Sequence, residues 1–190
     1  MIGSGLGNSF TSAPTRRQLV AAAAAVLGAA ALAPRSALAQ AQEEISHSAP
    51  AIHQEPVIPA TRKRVYEVLT TAKQFDDMTK LIADMAGAID LVKHPTTINP
   101  VAGGAFSMFG GIITGRNIEL VPDRRVVQAW RVSNWDPGIF SIVRFQLEDQ
   151  GAGSTKIIFD HTGFPDSDTE HLVPGWKAHY WEPMSKYLAG

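Results

Sequence analysis

The sequence predicts an α+β domain in which a curved antiparallel β-sheet wraps around a long C-terminal α-helix. Strand-like alternation of apolar and polar residues recurs between positions 103 and 162, and Gly- or Pro-containing turns separate the segments. After them, an aromatic stripe at helical spacing predicts a helix with one apolar face, formed by Trp176, Tyr180, Met184 and Tyr187. An antiparallel sheet with one apolar face needs a cover. This helix is the obvious one, so we expect a cavity between the two.

The first elements of the domain are predicted to be an edge strand and two short helices. Residues 51–59 alternate weakly and contain two prolines, which are tolerated at the edge of a sheet. Thr61 is a predicted N-cap, because apolar residues at helical spacing follow it. A second helix is predicted over residues 72–83. Residues 87–99 give no clear pattern.

The strands that follow alternate well enough to predict which side chains point inward. They are predicted over residues 105–109, 112–121, 125–132, 140–148 and 155–162. On the last strand His161 shares a face with Ile157 and Phe159, so it is expected to point into the core. Arg116 and Glu119 lie three residues apart on one strand, and regular alternation would place them on opposite faces.

The sequence also predicts where the C-terminal helix begins and where it bends. Ser167 and Glu170 have the spacing of a capping box, which predicts the helix start. Pro174 suits the first turn, where a missing backbone N–H costs little. Pro183 falls inside the helix and is expected to kink it.

The N-terminal segment differs in composition from the rest of the chain and predicts an export signal. Residues 1–39 hold three arginines and no acidic residue. The pair Arg16 and Arg17 precedes an apolar run of 15 residues, which is shorter than the roughly 20 needed to span a bilayer. Ala37-Leu38-Ala39 is the small-x-small pattern of a signal-peptidase site, and a cut after Ala41 remains an alternative. These features predict a twin-arginine signal peptide, no stable membrane span and a periplasmic or secreted protein.

The remaining residues are predicted to be a linker, residues 40–51, and one folded domain, residues 52–190. Without residues 1–39 the chain has 14 basic side chains against 18 acidic ones. This net charge of −4 argues against nucleic acid as the partner. The chain has no cysteine, which excludes disulfides, thiolate metal sites and cysteine nucleophiles. We find no metal-ligand spacing, phosphate loop or serine-nucleophile motif, so we expect no metal, no cofactor and no assigned catalytic residue.

A series of short motifs runs through the chain in this order: Gly103-Gly104-x-Phe106, Phe109-Gly110-Gly111, Gly115-Arg116, Glu119-Leu120-Val121-Pro122, Val127-Gln128-Ala129-Trp130-Arg131, His161-Thr162-Gly163-Phe164-Pro165, Gly175-Trp176 and Tyr180-Trp181-Glu182-Pro183. Over about residues 52–188 this series resembles the START-like SRPBCC superfamily. More specifically, it is similar to the domain shared with the activator of the heat-shock-protein-90 ATPase. The resemblance implies a helix-grip fold, which agrees with the element order predicted above.

Three functions follow from the predicted fold and the resemblance. The first is a module that binds a small hydrophobic or amphipathic ligand between the sheet and the last helix. The second is a cyclase- or hydrolase-like enzyme that uses the same cavity, with His161 as general acid or base. The third is a co-chaperone-like protein-interaction domain. Export argues against the third, because the family's ATPase partner is cytosolic.

The candidate cavity residues are large aromatic side chains and one histidine: Phe106, Phe109, Trp130, Trp135, Phe159, His161, Trp176 and Tyr180. Ordinary core packing is the alternative for each aromatic residue, and a hydrogen-bonded core position is the alternative for His161. His171 and His179 lie eight residues apart but match no zinc-site spacing.

Overall fold

The computed structural model describes residues 50–82 and 93–190, and these residues form a single antiparallel sheet with helices packed against it. The eight strands in this part of the chain are β1 (Ala51–Gln54), β2 (Val57–Ile58), β3 (Thr97–Ile98), β4 (Ala105–Met108), β5 (Ile113–Val121), β6 (Arg125–Val132), β7 (Ser141–Gly151) and β8 (Ser154–Thr162). Their order is β1-β8-β7-β6-β5-β4-β3, and β2 also pairs with β8. The predicted helix-grip architecture is confirmed. The predicted signal peptide (1–39) and all but the end of the predicted linker (40–51) lie outside the described residues.

Two short helices, α1 (Arg62–Thr70) and α2 (Ala72–Thr79), follow β2. Thr61 caps α1 as predicted, because its hydroxyl oxygen accepts from the Arg64 N–H at 3.5 Å. The single edge strand predicted over residues 51–59 is two strands, which both pair with β8. The break falls at Pro56, which has no N–H to donate. Its carbonyl oxygen still accepts from the Ile157 N–H at 2.9 Å.

The alternation of β5 is interrupted by a β-bulge, which makes one prediction wrong. The register against β6 shifts between Asn117 and Glu119, so that Arg116 pairs with Ala129 and Glu119 pairs with Val127. Ala129 and Val127 share the outer face of β6, and Arg116 and Glu119 therefore share it too. Asn117 precedes the bulge in regular register, opposite Gln128, and its side chain is fully buried on the inner face.

The C-terminal helix is continuous in three parts: α3 (Thr169–Trp176), a π-helical turn (Lys177–Trp181) and α4 (Glu182–Ala189). The predicted capping box does not form. Asp168 precedes the first helical residue, and no side chain caps the helix there. Pro174 is the sixth residue of α3 rather than part of its first turn.

A π-helical turn directly precedes Pro183, the residue at which the sequence predicts a kink. The Glu182 N–H bonds the Lys177 carbonyl, five residues back, and Pro183 then occupies the start of α4, where no N–H is required. The extra residue in this turn places two consecutive aromatic side chains, Tyr180 and Trp181, on the buried side. Helical spacing alone predicted only the first of them.

The core lies between the inner face of the sheet and the helices, and 11 of the 27 buried hydrophobic residues in the described part of the chain are aromatic. Trp181 packs edge-on against Phe159, with ring centroids 5.1 Å apart, and Phe145 packs against Trp176. Over residues 50–82 and 93–190, none of the helices has the length and apolar character to cross a bilayer. The C-terminal helix serves as the cover of the sheet.

Candidate functional site

A cavity of about 370 Å³ lies between the sheet and the first half of the C-terminal helix. The sheet side comes from the turn before β5, the start of β5 and the end of β6. The helix side comes from α3 and the π-helical turn. Its lining residues are Phe109, Ile112, Ile113, Trp130, Val132, Asn134, Asp168, His171, Leu172, Gly175, Trp176, His179 and Tyr180. This volume is at the lower end of the range for small-molecule pockets.

Aromatic rings in mutual contact form the inner wall of this cavity. The Trp176 ring stacks on Trp130 at a centroid distance of 4.8 Å and lies 4.5 Å from Tyr180. Tyr180 in turn meets Phe109 edge-on at 5.6 Å. Because each ring is held by its neighbours, the wall presents rigid apolar surface to whatever enters.

Phe109 reaches the cavity through an unusual backbone conformation. Its φ is +52°, in the left-handed region that side chains with a Cβ rarely adopt. Gly110 and Gly111 follow at φ of +66° and +93°, which glycine tolerates, so the tight turn into β5 is completed without further strain. Contact of the Phe109 ring with Phe75, at 5.1 Å, helps to hold the turn. Strained residues of this kind concentrate at functional sites.

The mouth of the cavity carries its polar groups. Asp168 is half-buried there. Its carboxylate accepts from the Trp135 indole N–H and, at 3.2 Å, from the Ser167 hydroxyl. Asn134, His171 and His179 complete the polar rim. Lysine and arginine are missing from the described residues that line this cavity.

A buried hydrogen-bond chain supports the aromatic wall from the sheet side. The Trp130 indole N–H donates to Gln128 Oε1 at 3.0 Å, and Gln128 Nε2 donates to Asn117 Oδ1 at 3.0 Å. Asn117 Nδ2 then donates to the Asn99 carbonyl at 2.8 Å. Asn117 lies opposite Gln128 on the inner face of the sheet, and this pairing makes the chain possible. With its N–H satisfied, Trp130 offers only its apolar ring to the cavity.

His161 lies behind the aromatic wall and is bonded at both ring nitrogens. The Trp176 indole N–H donates to Nδ1 at 3.2 Å, and Nε2 lies 2.7 Å from the Ser141 hydroxyl oxygen. An indole can only donate, so Nδ1 accepts and the proton sits on Nε2, which donates to Ser141. Burial lowers the pKa of His161 to about 3. The ring is therefore neutral at ordinary pH, as expected if His161 is a hydrogen-bonded core residue.

Tyr180 contributes its ring to the cavity, but its hydroxyl is buried and lacks a hydrogen-bond partner in the described part of the chain. Burial raises the pKa of this phenol well above its ordinary value, which keeps it protonated. The hydroxyl is one of few buried polar atoms left unsatisfied in these residues, and it belongs to the helix turn that lines the cavity.

The structure brings half of the predicted cavity residues to one cavity. Phe109, Trp130, Trp176 and Tyr180 line it, whereas Phe159 and His161 lie behind Trp176. Phe106 is buried beside Gly115 and borders a shallow groove that opens on the outer face of the sheet. Trp135 is buried in the turn after β6, and its indole holds Asp168 instead of lining the cavity.

Sequence reasoning missed the residues that lie at the mouth. Asp168 lies within the segment of the expected capping box, Ser167 to Glu170, and Asn134 was not singled out by any pattern. His171 and His179 would share a face only if the helix continued through Pro174; it does continue, and both side chains border the cavity. In residues 50–82 and 93–190, no group of three or more His, Asp or Glu side chains is placed to hold a metal ion.

Comparisons with known proteins agree on one family. Residues 59–189 match the family model described as Activator of Hsp90 ATPase homolog 1-like protein. The human activator of 90 kDa heat shock protein ATPase homolog 1 is 31% identical over 92 residues, which are 48% of this chain and 27% of that protein. Homolog 2 of the mouse is 24% identical over 138 residues, covering 73% and 38% of the two chains. The chain thus spans well under half the length of these curated relatives.

Solved structures show the same fold at lower sequence identity. An HSP90 activator from Plasmodium falciparum superposes with a TM-score of 0.62 at 17% identity, covering 73% of this chain and 96% of the other. CalU16 from Micromonospora echinospora gives a TM-score of 0.57 at 16% identity, covering 74% and 77%. These likenesses establish a shared fold.

Proposed function

This chain belongs to the family of Activator of Hsp90 ATPase homolog 1-like proteins, and from that premise we propose that its domain binds a small apolar or amphipathic molecule between the sheet and the C-terminal helix. The observation that carries the proposal is the cavity of about 370 Å³, whose inner wall is built from ring faces and whose mouth is polar. Small-molecule sites combine these two features, because apolar surface gives affinity and a few polar groups give orientation.

Gly175 supports the proposal from the helix side. It borders the cavity in the middle of a helix, where a glycine costs about 1 kcal/mol relative to alanine. A Cβ at this position would meet only His179 Nδ1, at 3.8 Å, so packing does not require the glycine. Its lack of a side chain does keep the cavity open.

The proposal is tested by identifying the ligand and then by filling the cavity with a larger side chain. Native mass spectrometry of the protein purified from its own host should reveal a co-purifying small molecule. A panel of naphthalene-sized probes should also raise the Tm, since saturation at a hundred times Kd stabilises a protein by about 2.7 kcal/mol. Gly175→Leu should raise the Tm of the free protein and weaken probe binding at least about tenfold, because the new side chain fills the cavity.

Ala178→Leu is the matched control, because it adds the same side chain to an exposed position three residues further along the helix. It should leave probe affinity unchanged. If no molecule co-purifies and no probe changes the Tm, the binding proposal is wrong. Equal loss of affinity in both variants would also count against it, since the effect would then come from the helix and not from the cavity.

The cyclase- or hydrolase-like enzyme that the sequence suggests as an alternative requires His161 as a general acid or base. Both nitrogens of this ring are engaged, and its low pKa leaves it neutral at ordinary pH. A general base needs a pKa near the working pH and access to the substrate. The two hydrogen bonds and the low pKa argue against His161 as a general acid or base, and they favour the binding function over this enzyme.

Protein interaction is a second candidate, favoured by the names of the relatives, which are activators of a heat-shock-protein ATPase, and by apolar residues on the outer face of the sheet. Ile118 and Phe140 each expose 52% of their surface there and border a shallow groove with Arg116. We propose an Hsp90-type ATPase as the partner to test; since the family's ATPase partner is cytosolic, this candidate is the alternative to the export proposed below. The ATP hydrolysis rate of such a protein from the same host should rise in the presence of this domain and fall back with Phe140→Ser. An unchanged rate in all arms would reject this candidate.

We also propose that the domain acts after export by the twin-arginine route, on the strength of Arg16, Arg17 and the small-x-small site ending at Ala39. The test is the double substitution Arg16→Lys and Arg17→Lys in the full chain, followed by cell fractionation. The protein should then accumulate unprocessed in the cytoplasm. Continued export of the doubly substituted chain would point to another route.

A further inference from the structure

We infer that Asp168 makes the cavity selective for amphiphiles that carry a positive charge, such as an aromatic amine, over neutral or anionic molecules of the same size. This inference rests on the proposed binding function and specifies its ligand class. Asp168 is the single ionisable acid among the described residues that line the cavity.

The Asp168 carboxylate is held at the mouth and still has bonding capacity. The indole N–H of Trp135 and the hydroxyl of Ser167 each occupy one site on it. An ionised carboxylate offers about four acceptor sites, so about two remain for a ligand. An ammonium group placed there would form a charge-assisted hydrogen bond, which is roughly twice as strong as a neutral one.

The ring faces behind Asp168 favour the same kind of ligand. Trp130, Trp176 and Tyr180 present aromatic faces to the cavity, and a cation within about 6 Å of such a face is attracted by its quadrupole. Removing a cation from water is costly in an apolar site unless an opposite charge and ring faces offset that cost. Here the carboxylate and the rings lie on one cavity surface.

An anionic ligand would find no lysine or arginine among the described residues that line the cavity. The nearest arginine along the chain, Arg131, donates to the Val132 and Trp135 carbonyl oxygens. The start of the C-terminal helix contributes about half a positive charge, which the full negative charge of Asp168 exceeds. Asp166 and Glu170 are exposed on the same segment and add to the negative field.

The test compares three probes that share one aromatic body and differ in charge: naphthylmethylamine, naphthylmethanol and naphthoic acid. Binding to the full-length protein is followed by quenching of tryptophan fluorescence and by calorimetry at neutral pH. The amine should bind about three- to tenfold more tightly than the alcohol, and the acid should bind more weakly than the alcohol by a similar factor. Added salt should reduce both differences.

Asp168→Asn removes the charge but keeps an oxygen that can accept from Trp135, and asparagine is as good as aspartate before a helix. In this variant the affinities for amine and alcohol should agree within about twofold. Asp168→Glu keeps the charge and should retain the preference for the amine. Asp166→Asn is the matched control, because it removes the same charge from an exposed neighbour that does not line the cavity, and the wild-type order should persist.

The outcomes separate this inference from the binding function on which it rests. If the alcohol binds but the amine has no advantage, or if the order of the three probes survives Asp168→Asn, Asp168 does not select the ligand and the binding function stands. Tightest binding of the acid overturns the inference in the same way. If none of the three probes binds the wild-type protein, both the inference and the proposed binding function fail.

Discussion

Trp176 on the C-terminal helix donates its indole N–H to His161 Nδ1 on β8 at 3.2 Å. This bond fixes the proton of His161 on Nε2, which donates to Ser141 on β7. One ring thereby links the helix to two strands at the level of the cavity wall. The groups around it (Trp130, Phe159, Phe164 and the two bonded residues) carry no charge, so burial alone accounts for its low pKa.

The first prediction concerns the dependence of stability on pH. His161 binds a proton in the unfolded chain below a pH of about 6.5 but remains neutral in the folded protein down to a pH of about 3. Its contribution to stability is therefore present above pH 6.5 and lost as the pH falls from there toward 3. The free energy of unfolding should fall by up to about 1.4 kcal/mol per pH unit in this window, as measured by urea titration.

His161→Gln should flatten this slope, whereas His171→Gln on the exposed rim should not. The contribution of His53 to stability changes with pH in the opposite direction. A hydrogen bond to Asp160 raises its pKa, so its contribution is present below pH 6.5 and is lost as the pH rises. A slope that persists unchanged in His161→Gln would show that another group is responsible.

The second prediction concerns the buried hydrogen-bond chain beneath Trp130. Gln128→Leu should reduce the free energy of unfolding by about 3 kcal/mol, because it leaves the Trp130 N–H and the Asn117 side-chain oxygen buried without partners. Gln146→Leu, at a half-buried position on the outer face, should cost under about 0.5 kcal/mol. Similar losses in the two variants would argue against a special role for this chain.

The third prediction concerns the unpaired hydroxyl of Tyr180. Tyr180→Phe should leave the free energy of unfolding unchanged or raise it by up to about 1 kcal/mol, since it removes a buried polar atom without breaking a bond in the described residues. Tyr180→Leu should instead cost about 3 kcal/mol through the lost contacts with Phe75, Phe109 and Trp176. Marked destabilisation by Tyr180→Phe would mean that the hydroxyl has a partner.

The fourth prediction concerns an ion cluster on the outer face, where Asp160 lies between residues of two neighbouring strands. Its carboxylate accepts from His53 at 2.8 Å and from Arg144 at 2.8 Å, and it is only 6% exposed. Burial alone would raise the pKa of Asp160, but these two hydrogen bonds outweigh burial and hold it below its ordinary value. Asp160→Asn should cost about 2 kcal/mol at pH 7 in chemical denaturation.

Asp77→Asn is the control for this cluster. Asp77 bonds two exposed lysines, Lys73 at 2.6 Å and Lys80 at 2.7 Å, and surface pairs of this kind contribute little. Its substitution should cost under about 1 kcal/mol. A loss at Asp77 as large as that at Asp160 would show that burial of the carboxylate is not what matters.

His161 and Trp130 both lie on the inner face of the sheet, and their positions show how much of the site could be predicted from the sequence. Alternation along β8 correctly placed His161 inside, because a period of two determines which face of a sheet a side chain occupies. It did not distinguish His161, which lies behind Trp176, from Trp130, which lines the cavity. Depth within the core depends on which residues of other elements lie opposite, and that information is not local in sequence.

The sequence by itself determined the main element order, the inward faces of β6, β7 and β8 and the aromatic cover helix, because burial of apolar surface follows the periods of strand and helix. Only the tertiary structure decided the bulge that brings Glu119 to the outer face, the π-helical turn that buries Tyr180 and Trp181 together, and the place of Asp168 at the cavity mouth. Each of these depends on pairing or packing with residues far away along the chain. Local propensity cannot specify such contacts, because their energy appears only after the sheet and helix have come together.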